Sequence, residues 1–489
     1  MFLSMRNINK SFSGNWVLRN IDFDLEEGEI HALAGLNGAG KSTLIKILAG
    51  AILMDSGDII FQDAVYDIAN PRQTLEAGIY TIFQEETLIP SLNVAENIFL
   101  NRLPRKKIFV DSTKMYEEAY EIFNELGYAI DPYSNIKSLS MSERYMVALA
   151  RAYYNNPKIL IMDEPMINLA IEEKQVLIRF MNNMKQRGDS IVYITHSIQE
   201  ILTLCDRVTV LRDGKKVASC NLKGVSVEQL SYMISGNKSL VLYPPKGKHS
   251  DKELLKICDL NKEPCLHHVD MVLHSGEILG ITGLTGSGRS LLIRTIFGEV
   301  MKDSGIIYLK GKKVDFKSPM DAINHGFGYV NENRLDAGLF LEMGVDENMT
   351  ISALRDLRAG FFLDLKQEMQ EVVDQTIDLN IKVDSIKQKT KFLSGGNQQK
   401  VMVSRSLVAK ANIFLLDEPT RGIDIVSRSE IYVLLRELAN SGKGIILVSK
   451  DMDELAGICN RVIIMKNGFL TSELEDEDLK KLSMQSLLS

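Results

Sequence analysis

Short, uninterrupted runs of aliphatic residues punctuate the chain: Ile30-His31-Ala32-Leu33-Ala34, Ile159-Leu160-Ile161-Met162, Ile191-Val192-Tyr193-Ile194 and Ile445-Ile446-Leu447-Val448. None alternates strictly with polar residues, which suits strands buried on both faces in a parallel sheet. Longer amphipathic stretches, such as Glu172 to Lys185, lie between them, and residues 43–48 read as a helix after the first run. Strand and helix alternating in this way predict an α/β fold.

The pattern occurs twice. Asp163 and Asp417 stand 254 positions apart, as do Ser140 and Ser394. Nearer the N-terminus, Lys41 and Arg289, and Gly78 and Gly326, stand 248 apart. Two offsets, each repeated, indicate duplication, with copies of about 240 residues. The six-residue difference must arise between Gly78 and Ser140, and length changes fall in exposed loops. Tyr243-Pro244-Pro245-Lys246-Gly247-Lys248-His249-Ser250 is polar with paired prolines and predicts a short extended linker between the copies.

Composition narrows the function. The net charge is −7 (57 Lys+Arg against 64 Asp+Glu), so no global basic field draws in bulk nucleic acid. Five cysteines, with no CxxC pair, predict free thiols rather than a disulfide framework or a zinc site. No secretory leader is visible, and no apolar stretch approaches the roughly 18 residues of a membrane span. The expectation is a soluble chain without direct membrane insertion, reaching a membrane only through a partner.

Residues 35–42, Gly-Leu-Asn-Gly-Ala-Gly-Lys-Ser, fit the pattern G-x-x-x-x-G-K-[ST] between a predicted strand and a predicted helix. The glycines let backbone N–H groups cradle phosphates at the helix N-terminus. Lys41 reaches the terminal phosphates, and Ser42 offers an oxygen to Mg2+. Asp163-Glu164 follows an apolar strand. Such a pair alone is more often a solvated turn or helix cap, but together with the phosphate loop, and duplicated, it reads as a metal-holding aspartate and a water-activating glutamate. Leu393-Ser394-Gly395-Gly396-Asn397-Gln398-Gln399 is a third element, a glycine-rich turn opening a helix and able to face an anion.

Together these motifs resemble the ATP-binding cassette (ABC) family, twice over and across essentially the whole chain. The resemblance implies two tandem P-loop NTPase domains, each a RecA-like core with a helical subdomain, at residues 1–242 and 251–489, joined by a linker at 243–250. It implies ATP and Mg2+ as cofactors. ATP contacts then fall on Phe12 (an adenine-stacking aromatic 29 residues before Lys41), Gly35, Asn37, Gly38, Ala39, Gly40, Lys41, Ser42, Thr43 and Asp163. Glu164, His196 and Gln84 take the catalytic positions, and Ser42, Gln84 and Asp163 hold Mg2+, partly through water.

The two halves differ at these positions. Arg289 replaces Lys41 in the second loop, which keeps Gly283, Gly286, Gly288 and Ser290. Glu332 replaces Gln84, Lys450 replaces His196, and Leu260 is expected where Phe12 would be. Arginine's planar fork does not reproduce a compact ammonium. The first half instead loses its signature, Leu139-Ser140-Met141-Ser142-Glu143, and has Ala170 where the second has Asp424. Family members pair their cassettes head to tail. One composite site then joins the first half's loop to Ser394, Gly395, Gly396, Asn397 and Asp424, with every element intact. The opposite site, with Arg289, Glu332, Asp417, Glu418 and Lys450, lacks most of them. The resemblance therefore implies one hydrolytic site and one degenerate site.

Within the family, the second loop ending in Gly-Arg-Ser, residues 329–334 and Val94-Ala95-Glu96-Asn97-Ile98 look like fused twin cassettes of monosaccharide importers of the ribose, galactose, xylose and autoinducer-2 type. Asn333, Met166, Glu143 and Lys450 depart from that pattern. This subgroup implies two transmembrane permease subunits, an extracytoplasmic substrate-binding protein, and a place on the cytoplasmic face of the cell membrane. Two alternatives stand beside it: a nucleoside importer ATPase and a soluble ribosome-associated twin cassette.

Overall fold

The computed structural model describes residues 2–66, 68, 70–83, 88–100, 102–106, 109–166, 169, 171–237, 242–284, 286–475 and 478–479. The chain divides into two units, Met1–Leu240 and Val241–Ser489.

In the first unit the apolar runs become adjacent strands of one six-stranded sheet. Its order is Lys215–Asn221, Arg207–Arg212, Ile30–Gly35, Ser190–Ile194, Ile159–Asp163 and Ile79–Ile82. Only the Lys215–Asn221 edge strand runs antiparallel to its neighbour. Ile159, Leu160, Ile161 and Met162 are fully buried because both sheet faces are covered. A four-stranded antiparallel sheet built on Leu3–Phe12, Asn15–Leu25 and Ser56–Phe61 shares one core with the parallel sheet. A second core joins the parallel sheet to the helices Ser112–Leu126, Met141–Asn155 and Ile171–Gln186. Burying each of these large aliphatic side chains contributes about 1.5–3 kcal/mol, so the strands are fixed by coverage rather than by propensity.

The second unit repeats the plan with strands Phe327–Val330, Ile413–Asp417, Gly444–Val448, Ile278–Gly283, Arg461–Lys466 and Phe469–Glu475. The 243–250 stretch, expected as an extended linker, lies against this unit. The ring of Tyr243 stacks on Tyr432 at 5.4 Å, and Asn460 Nδ2 donates to the Gly247 carbonyl at 2.8 Å.

Equivalent contacts locate the length differences between the halves. The Asn97 amide that braces Ile89 corresponds to Asn348 bracing Phe340, an offset of 251. The two-strand ribbons Arg105–Lys106/Phe109–Val110 and Arg358–Ala359/Phe362–Leu363 are offset by 253, and the bridges at Asn135 and Lys389 by 254. The six extra residues therefore enter in three steps, all within the helical subdomain and its approaches.

A further difference corrects the expected position of Leu260. In the first unit Ile8 pairs with Ile21 and Lys10 with Leu18, and pairing continues through Ser11–Trp16 to Phe12–Asn15. In the second, Leu260 pairs with Val269 and Lys262 with Leu266, where pairing ends. Leu260 is thus the counterpart of Ile8, and both are fully buried. The second hairpin is four residues shorter, with three residues between Lys262 and Leu266 against seven between Lys10 and Leu18. It has no residue equivalent to Phe12. A constant spacing from the phosphate loop fails here because the missing residues lie between the two reference points.

Candidate nucleotide site

Strand order assembles the site. Ile30–Gly35, Ser190–Ile194 and Ile159–Asp163 are parallel neighbours, so the segments leaving their carboxyl ends meet at one edge of the sheet. Ligands of open α/β sheets bind outside strand carboxyl ends. The phosphate loop, Asp163-Glu164 and His196 all occupy that edge.

The loop's glycines are imposed by its surroundings. Gly35 has φ +152°, and a Cβ there would lie 2.3 Å from the Leu211 carbonyl oxygen. Gly40, at φ +100°, caps the helix Lys41–Leu48 without a side chain, and its Cβ would meet Leu18 at 2.6 Å. Ala39 is buried, while Asn37, Gly38 and Ser42 are exposed and Thr43 is half-buried. Lys41 Nζ donates to the carbonyls of Gly35 at 2.8 Å and Leu36 at 3.0 Å, which holds the ammonium across the loop. Burial first, and the Glu164 charge second, push the Asp163 carboxyl up to about 6, with Lys41 opposing. Glu164 takes a left-handed φ of 51°, its N–H bonds to the Ile194 carbonyl at 2.8 Å, and its Oε1 lies 3.0 Å from His196 Nδ1. Phe12 closes the hairpin as an exposed residue, with Lys10 Nζ 5.4 Å from the centre of its ring. Gln84 and Ala170 lie outside the described residues.

The second unit keeps the cradle and changes its cation. Gly283, Gly286 and Gly288 have φ of +155°, +82° and +100°, against +152°, +78° and +100° at Gly35, Gly38 and Gly40. Arg289 is buried, which lowers its affinity for a proton, and Nη1 donates to the Ser449 carbonyl, beyond the end of the neighbouring strand, at 3.3 Å. Ser290 Oγ donates to Asp417 Oδ1 at 3.2 Å. Burial pushes Asp417 up to about 6 and Glu418, also facing Glu454, up to about 7. Glu332 is ion-paired with Arg421, a contact that motif matching missed because each residue looks unremarkable alone. Lys450 is exposed, and its charge favours the ionised forms of Asp417 and Glu418.

The two signature turns are built differently. Ser394 caps the helix Gly395–Val408, and its Oγ accepts from Asn397 Nδ2 at 3.1 Å. A Cβ on Gly396 would lie 2.4 Å from Ser427, whose hydroxyl donates to Asp424 at 2.8 Å, so glycine permits this helix to approach the next. In the first unit Ser140 caps Met141–Asn155, but Glu143 folds back onto it. One carboxylate oxygen accepts from both the Ser140 N–H and the Ser140 hydroxyl at 2.8 Å. The place where a glycine turn would present amides to an anion carries an anion of its own.

Met166 also finds an account. Its counterpart Thr420 donates to the buried Glu454 at 2.7 Å. Met166 cannot, and the equivalent Glu200 instead accepts from the Tyr193 hydroxyl at 2.9 Å. Asn333 caps the following π-type turn through Asp336, a role that its Oδ1 and Nδ2 fill together.

Among the described residues no helix is long and apolar enough to cross a membrane. The ABC transporter family matches residues 18–167 and 266–421. The galactose/methyl galactoside import ATP-binding protein MglA of Salmonella typhimurium is 41% identical over 475 residues, 96% of this chain and 93% of that protein. The Shigella flexneri protein of the same name is also 41% identical, with the same coverage of 96% and 93%. Among solved structures, the archaeal ribosome recycling factor, in complex with a ribosomal stalk protein, superposes with a TM-score of 0.68 over 98% of this chain and 92% of that one. Its identity is 18%, a likeness of fold alone. With the cassette matched in both units and 41% identity across nearly its whole length, this chain belongs to the ABC transporter family as a twin-cassette ATPase.

Proposed function

We propose that the chain is the ATP-hydrolysing subunit of a membrane importer for a monosaccharide or similar small carbohydrate. The observation that carries this is 41% identity over 96% of the chain to a protein named for galactose and methyl galactoside import. The ribosome-associated reading has only the fold in its favour, at 18% identity, and fold does not carry function. Nothing in the site favours a nucleoside importer.

The first unit supplies the chemistry. Lys41, already held across the loop, turns to the terminal phosphates as the loop amides close on them. Water attacks the γ-phosphorus and the bond to the ADP oxygen breaks. Glu164 accepts the water's proton, with His196 holding its carboxylate. Ser42 and the desolvated Asp163 form an all-oxygen donor set that fits Mg2+, with Gln84 as a further ligand; the ion, when bound, neutralises phosphate charge. Phe12 stacks on adenine.

The second unit supplies Ser394, Gly395, Gly396, Asn397 and Asp424 to that nucleotide. The reciprocal site, with Arg289 and Glu332 facing the Glu143 turn, turns over little. Closure of the halves moves the helical subdomains against two permease subunits on the cytoplasmic face of the membrane, and an extracytoplasmic binding protein delivers the sugar. The unequal lengths of the two subdomains fit them to different partner surfaces. A mild-detergent pull-down of the tagged chain from its native cells tests this. Co-purification of a polytopic permease with a sugar-binding protein is expected; ribosomal proteins without a permease would overturn it.

A further inference from the structure

The two units retain the same phosphate cradle and differ in the hairpin beside it. In both, the hairpin is anchored against the last glycine of the loop: a Cβ on Gly40 would meet Val17 O and Leu18, and one on Gly288 would meet Cys265 O and Leu266. Beyond that anchor the first hairpin continues through Trp16 and Asn15 to Phe12. The second turns back at once through Glu263, Pro264 and Cys265, none aromatic. Leu260, the residue at matching sequence distance, is fully buried in the sheet.

We infer that the second unit's loop grips a nucleotide by its phosphates alone, so that the base adds nothing and inorganic tripolyphosphate competes with ATP there on equal terms. This rests on the reading of Phe12 as the first unit's adenine platform. A cradle of backbone amides is indifferent to what lies beyond the phosphates, whereas stacking on an aromatic ring is what holds the base. Beside the short hairpin the ring of Phe469 is tilted against that of His267 at 4.9 Å between centroids, in place of Lys215 and Arg19 of the first unit. This pair is the competing platform to be tested.

The chain's single tryptophan lies on the first hairpin, opposite Ser11, and is 51% exposed. Trp16 fluorescence therefore reports the first site, and equilibrium dialysis of labelled nucleotide reports both. The expected result with full-length chain and Mg2+ is two bound ATP equivalents, one displaced by inorganic tripolyphosphate at an affinity within about threefold of ATP. The Trp16-reported site should prefer ATP over tripolyphosphate by about tenfold or more, and Phe12→Ala should erase that preference. Lys41→Ala should leave one equivalent that does not distinguish ATP from tripolyphosphate. A tenfold ATP preference at that remaining equivalent, above all one lost in Phe469→Ala, would overturn the inference, as would absence of any nucleotide there at millimolar concentration. A Phe12→Ala variant that keeps its ATP preference would instead overturn the platform reading of the first unit.

Discussion

His196 Nδ1 and Glu164 Oε1 lie 3.0 Å apart across the carboxyl ends of two adjacent parallel strands. The corresponding pair in the second unit is Lys450 and Glu418, and there the lysine is exposed. An imidazole can orient a carboxylate and still let it accept a proton. The exposed Lys450 ammonium acts on Glu418 through its charge, and among the described residues nothing hydrogen-bonds to Glu418 Oε1.

The contrast predicts unequal catalysis. Glu164→Gln is expected to lower steady-state ATP hydrolysis at least about 100-fold, the scale of a lost general base, and Glu418→Gln by less than about threefold. Equal losses measured by phosphate release would remove the asymmetry.

His196→Lys, which gives the first unit the residue found at 450, should lower hydrolysis at least about tenfold while nucleotide affinity stays within about threefold. Single-turnover and binding measurements separate the two. A matching loss of affinity would mean that His196 binds nucleotide rather than orienting the base.

Asp163 and stability are linked through pH. Its carboxyl sits at about 6 against an ordinary 3.8, so between those values the folded chain holds a proton that the unfolded chain has released. Stability of the nucleotide-free chain therefore falls as pH rises through this window. Asp163→Asn should raise Tm by about 3–8 °C at pH 7.5, with little change near pH 4, and abolish stabilisation by Mg2+-ATP at the first site. A lower Tm at pH 7.5 would contradict the burial argument.

Glu418 extends the argument to the second unit. Burial holds it at about 7, and among the described residues no hydrogen-bond partner meets its Oε1. Glu418→Gln is expected to stabilise the nucleotide-free chain at pH 8 but not near pH 4, because the folded group gives up its proton only as pH passes about 7. Thermal scans at the two pH values decide it.

Three glycines should rank by the space around them. Gly35→Ala and Gly396→Ala place a Cβ 2.3 Å from a backbone oxygen and 2.4 Å from Ser427, respectively, and each should cost about 1–3 kcal/mol or more. Gly38→Ala meets nothing within 4 Å and carries only its φ of +78°, about 1–2 kcal/mol. Urea midpoints showing Gly38→Ala as the most damaging of the three would refute the ranking.

Much of this was legible in the sequence because strand and site coincide there. The runs ending at Ala34, Met162 and Ile194 are buried on both faces, and each ends one or two residues from a site residue or the phosphate loop. Leu260 is misplaced by a constant spacing from the phosphate loop, which assumes hairpins of equal length, and only backbone pairing reveals the shortened one. The reach of Arg289 to Ser449 O and the Glu332–Arg421 pair were invisible for another reason. Both depend on where long side chains go once strands far apart in sequence lie side by side.

Glu143 gives the first signature helix a finished end. With its carboxylate on Ser140, Met141–Asn155 is complete before any ligand arrives, whereas Gly395–Val408 has no acidic residue in its first turn. One helix start thus has its amides closed by a carboxylate of its own, whereas the other has its Ser394 cap and no acid beside it. Nucleotide-induced protection from amide hydrogen exchange should then concentrate at the start of Gly395–Val408, so that the two halves, alike in architecture, stiffen one at a time.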